Sequence, residues 1–130
     1  MNVYLTRDVK IRTIDGLVPC SKLKTGDQVI ACNAEGSICV DEVVDIIPIS
    51  VLAKATEISA NNDKAVVEAR EGVLVGSPIL GYSSETNTVE QKQVSGLRDV
   101  SYNDIAFNVV TKDHGTLIIG DRGGIVVHVG

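Results

Sequence analysis

VKIRTIDGLVPCSKLKTGDQVIA, residues 9–31, is the stretch whose reading decides the fold. VKIRTI alternates apolar and polar residues, which is the pattern of a half-buried strand. Asp15 and Gly16 then supply a tight turn, so that LVP runs back as the second arm of a hairpin. PCSKL is too short for an ordinary helix and reads as one helical turn. Lys24–Asp27 is a second polar turn, after which QVIA begins another strand.

Outward from this block the same grammar repeats. ICVDEVVDIIPI (38–49), AVVEA (65–69), GVLVG (72–76), AFNVVT (106–111), TLIIG (116–120) and GIVVHV (124–129) are β-branched and read as strands. Turn-forming clusters separate them: IDGL, AEGS, NNDK, AREG, SSETN, KDHG and DRGG. An all-β chain follows. PCSKLKTGD (19–27) is echoed weakly by QVSGLRDVS (93–101), which predicts a second helical turn there and hints at two related halves.

Composition narrows the function classes. At 130 residues, 44% hydrophobic and 22% charged, the chain is the size of one globular domain, expected to span 1–130. A net charge of −5 offers no basic stripe for a phosphate backbone, and one Phe, three Tyr and no Trp leave few stacking platforms, so nucleic acid is not an expected partner. No stretch approaches the roughly 18 apolar residues of a membrane span, and MNVYLTRDVK lacks a signal-peptide core, so a cytoplasmic product is expected without a membrane partner. Cys20, Cys32 and Cys39 match neither a metal knuckle nor a paired disulfide framework, and read as reduced, buried thiols. No motif calls for a cofactor or metal, and none is expected.

The block 9–31 resembles the opening of the Hint superfamily, the fold of inteins, bacterial intein-like modules and hedgehog autoprocessing domains: a hairpin with a DG turn, then Leu23, Gly26 and Asp27, then an apolar strand. VVTKDHGTLIIGDRGGIVVHVG (109–130) resembles its closing blocks, where two apolar strands flank an Asp/His turn and end in VHN. The two matches cover about a third of the chain. The resemblance implies a horseshoe-like all-β fold with pseudo-two-fold halves and short helical turns.

It also implies four chemical requirements. The nucleophile, Cys or Ser in the family, falls on Tyr4, whose hydroxyl sits too far out on a rigid ring to attack the preceding carbonyl. The Thr and His that strain and protonate the scissile amide fall on Glu68 and Glu71, and a carboxylate ionised at neutral pH is a poor proton donor. The terminal Asn falls on Val129, which has no amide to cyclise. The downstream acceptor falls on Gly130. The assisting residues remain: His128 matches the penultimate His, and Asp113 with His114 match the polar turn.

Each singled-out residue also has a plain structural reading. His128 is either a general base or a strand histidine. Asp113 and His114 form a dyad or an ordinary turn, and Glu68 with Glu71 a carboxylate pair, a weak cation site or a solvated hairpin edge near Arg70 and Lys64. DRGG either presents an anion-binding nest of amides or is a two-residue turn between the terminal strands. Cys20, Cys32 or Cys39 is a relocated nucleophile or core. The structural reading is preferred in every case.

The expected product is therefore a catalytically inactive Hint-fold module, not an enzyme, kept for assembly or binding through a protein partner or self-association. If the chain begins at Met1 and ends at Gly130, no flanking segments remain to be joined. A virion component, such as a capsid-decorating, head-tail or baseplate protein, is the concrete expectation, since Hint modules circulate in phage genomes. The alternative is a residual self-cleaving or splicing domain. A small-ligand barrel has no convergent polar cluster to recommend it.

Overall fold

The computed structural model describes residues 1–130. Thirteen strands succeed one another: β1 (Val3–Thr6), β2 (Lys10–Thr13), β3 (Gly16–Pro19), β4 (Gln28–Cys32), β5 (Ile38–Val51), β6 (Lys54–Ala60), β7 (Asp63–Ala69), β8 (Pro78–Ser83), β9 (Thr88–Gln93), β10 (Gly96–Ser101), β11 (Asp104–Thr111), β12 (Thr116–Ile119) and β13 (Ile125–His128). The only helical element is the 3-10 turn Cys20–Lys22, where PCSKL predicts one. The strands form one path, β10-β6-β7-β1-β11-β5-β4-β2-β12-β13-β8-β9, with β3 hanging from β2. Neighbours are antiparallel throughout the named pairs, giving the expected all-β class.

The 14-residue β5 joins the two halves: its first part pairs with β4 and its second with β11. The unalternating runs LII and IVV arise because β12 and β13 are covered on both faces. Leu117, Ile119, Ile125 and Val127 belong to the main core of 20 buried residues, while Ile118 and Val126 form a second cluster with Cys32.

The halves are related, but through a different pair of segments from the one the sequence suggests. Residues 93–101 are not a helical turn: Ser95 N–H and Oγ both donate to Ser59 O, and Gly96–Ser101 runs extended along β6. The true counterpart of LKTGD (23–27) is VLVGS (73–77), 50 residues on. Gly26 N–H donates to Val43 O and Gly76 N–H to Val94 O, both at 2.7 Å. Lys24 N–H is held by Asp27 Oδ2 at 2.8 Å, and Leu74 N–H by Ser77 Oγ at 3.1 Å. Both glycines stand at positive φ, +95° and +93°, where an L side chain is strained. GVLVG is accordingly a turn and not a strand, with Leu74 75% and Val75 62% exposed. Its apolar composition hid the repeat.

Two buried aspartates tie loops across the fold. Asp41 accepts the amides of His114 (2.8 Å), Glu42 (2.8 Å) and Asp113 (3.1 Å). Asp63 accepts those of Lys64 (2.8 Å), Gly124 (2.9 Å) and Arg122 (3.0 Å). Burial pushes the Asp41 carboxyl up, but the amides of His114, Glu42 and Asp113 and the Thr111 hydroxyl outweigh it and hold the group below its ordinary 3.8. A carboxylate depressed by folding stabilises above its unfolded value, and that contribution is lost as pH falls through the folded value. Urea titrations of the native chain and Asp41→Asn are therefore expected to differ by a constant amount above about pH 5 and to converge below about pH 3.8. A gap that persists unchanged at pH 2 would contradict this.

Candidate functional site

Strand β1 lies between β7 and β11, and its VYLT alternation buries Val3 and Leu5 completely while turning Tyr4 to the other face. Tyr4 is opposite Glu68. Leu5 is opposite Phe107, which brings Asn108 level with Tyr4 on its other side. Glu68, Tyr4 and Asn108 thus form a row across three strands.

The closing strand arrives at this row. Asn2 makes a parallel bridge with His128, and His128 N–H donates to Met1 O at 2.8 Å. Gly130 N–H donates to Asn108 Oδ1 at 3.2 Å, and Arg70 Nη1 donates to Gly130 O at 2.8 Å. The Arg70 guanidinium lies 4.8 Å from the centre of the Tyr4 ring, and Glu71 Oε1 accepts Asn2 N–H at 3.1 Å. The backbone therefore assembles Tyr4, Glu68, Glu71, His128 and Gly130 in one neighbourhood although they come from opposite ends of the chain.

Partial burial, with the Met1 α-ammonium, lowers the His128 imidazole below its ordinary value, and Glu71 opposes this more weakly. At pH 7 the neutral form therefore predominates. Val129 is buried, its amide bound to Gly115 O at 2.9 Å. The cleft beside His128, lined by Met1, Pro78, Leu80 and Val126, holds about 160 Å³, below the usual range of small-molecule sites.

Other predicted residues lie elsewhere. Asp113 and His114 are exposed, make no side-chain hydrogen bonds, and are placed by Asp41 through their amides, so they serve as a turn and not as a dyad. Between β12 and β13 stand five residues, Gly120–Gly124, not a two-residue turn. The Arg122 and Gly124 amides of that loop already hold an anion, the carboxylate of Asp63. Cys20 is buried in the main core, where desolvation pushes its thiol up to about 12, so it is not a thiolate at neutral pH. Burial also raises Cys32, and it raises Cys39 with help from Asp41. No group of three or more His, Cys, Asp and Glu is gathered to hold a metal, and no helix is long and apolar enough to cross a membrane.

Sequence reasoning missed Asn108 and gave Arg70 no role at the site. Asn108 had a signal, being the one polar residue inside IAFNVV. Arg70 had none, because its two partners lie 66 and 60 positions away.

At the sequence level no family model and no curated protein matches the chain. Solved structures do. A bacterial intein-like domain from Clostridium thermocellum superposes with a TM-score of 0.75 at 19% identity, covering 98% of this chain and 99% of that one. An intein from a hyperthermophile gives 0.76 at 14% identity, over 97% and 99%. The PabCDC21-1 intein gives 0.77 at 8% identity, over 98% of each chain. The chain has the Hint fold of these domains over nearly its whole length.

Proposed function

We propose that this Hint-fold chain is a module that does not cleave itself and serves as a scaffold for protein binding or assembly. The observation that carries the reading is Tyr4. A group attacking the Val3 carbonyl must close a small ring through its own amide nitrogen, which a Cys or Ser side chain does and a phenol at the far side of a six-membered ring does not. The tyrosine is also engaged: Arg70 lies over its ring and ties the same neighbourhood to Gly130. Glu68 and Glu71 replace the proton donors, and Val129 replaces the cyclising amide. Within the scaffold role, the setting that the family resemblance suggests is a virion.

The test is intact mass over days for the chain held between two folded tags, with and without a thiol and hydroxylamine. The mass is expected to stay unchanged in every condition. A product ending at Val3 or Val129 would overturn the reading in favour of residual autoprocessing.

A further inference from the structure

The strand path ends on two free edges, β10 and β9. On β8, Tyr82 N–H donates to Gly124 O at 2.9 Å and Tyr82 O accepts from Asn61 Nδ2 at 3.2 Å, so the main chain of Tyr82 faces away from β9. Main-chain direction alternates along a strand. Ile79, Gly81 and Ser83 therefore face β9, and their partners Lys92, Glu90 and Thr88 use their main-chain groups inward. Val89, Gln91 and Gln93 turn theirs outward, and no loop or side chain bonds them. An edge of this kind is a template for another strand.

Two identical edges meeting antiparallel about a two-fold axis must bring outward groups to outward groups. These recur every second residue, so the axis has to pass through a residue and not between two. An axis at Glu90 sets that carboxylate against its own copy, and an axis at Lys92 sets two ammonium groups together. An axis at Gln91 places Glu90 opposite the Lys92 of the other copy and the reverse, with Val89 opposite Gln93. Glu90 and Lys92 already share a face, 3.4 Å apart. The same rule acts against β10, where Arg98 and Asp99 are adjacent. An axis through either of these two central residues opposes like charges, whereas an axis through Gln91 of β9 opposes none.

We infer that two copies of this chain join through the β9 edge, antiparallel about Gln91, into one continuous sheet. The inference deepens the scaffold reading, on which it rests, by naming the partner as a second copy. The three facing pairs at Val89, Gln91 and Gln93 supply about six main-chain hydrogen bonds, and the crossed Glu90–Lys92 pairs select the register. Such an edge covers less surface than a standard interface, so association is expected at high protein concentration, on the order of 0.1–1 mM.

Sedimentation equilibrium on the native chain, Glu90→Lys, Lys92→Glu and the 1:1 mixture of the two variants tests it. The native chain is expected to dimerise, and each variant, with like charges opposed, to associate about 10-fold more weakly or not at all. The mixture is expected to recover the dimer, because every introduced charge then meets its opposite. Both side chains are on the surface of an edge strand, and a thermal melt of each variant confirms folding. A native chain that stays monomeric to about 1 mM, a dimer indifferent to both reversals, or a mixture that fails to recover would each overturn the inference. Those outcomes leave the intact-mass result untouched, whereas clipping would sink the scaffold reading without altering the sedimentation.

Discussion

Tyr4→Cys combined with Glu68→Thr, Glu71→His and Val129→Asn is expected to give a chain that clips in the presence of thiol. The thiol introduced at position 4 adds to the Val3 carbonyl carbon, the amide C–N bond breaks, and the proton passes to the leaving nitrogen, forming a thioester that an added thiol exchanges. Tyr4 already lies beside Glu68, with Glu71 on Asn2, so each replacement enters the neighbourhood where it must act. Tyr4→Cys alone provides the attack without the acid, and is expected to cleave about 10² to 10⁴ times more slowly than the full combination. The measurement is intact mass between tags, with circular dichroism to confirm folding. A folded quadruple variant that never clips would mean that position 4 does not occupy the place of the nucleophile.

Asp63→Ala is expected to have the largest effect on stability. The carboxylate is buried and accepts three amides, two of them from the Gly120–Gly124 loop that turns the chain into β13. Removing it leaves the buried Gly124 amide and the part-buried Lys64 and Arg122 amides without their acceptor, at a cost of about 3–4 kcal/mol and a fall in Tm of roughly 10–15 °C. Asp121→Ala, next to Arg122 in the same loop but exposed, is the control, and should change stability by no more than about 0.5 kcal/mol. If Asp63→Ala melted within a few degrees of the native chain, the loop would be holding itself and the carboxylate would be incidental.

The two experiments differ in how far the sequence alone anticipates them. Tyr4, Glu68, Glu71, His128 and Val129 are found by matching short blocks to a family pattern, because strand periodicity and turn chemistry are local and survive in a single chain. Asp63 gives no such signal: in NNDK it reads as a turn residue, and its importance lies in amides about 60 positions away. The internal repeat failed for a related reason. LKTGD and VLVGS share a hydrogen-bonded geometry and one glycine at positive φ, while their side chains share little.

By itself, then, the sequence determined that the chain is all-β and where most of its strands and turns fall, since these depend on neighbours within a few positions. Only the tertiary structure decided which residues meet. It set Arg70 over Tyr4 and Asn108 on Gly130, withdrew Asp113 and His114 into a turn held by Asp41, and left β9 as an open edge. Pairing between strands joins distant parts of the chain, and its register is settled by the burial of whole faces, which no short stretch of sequence contains.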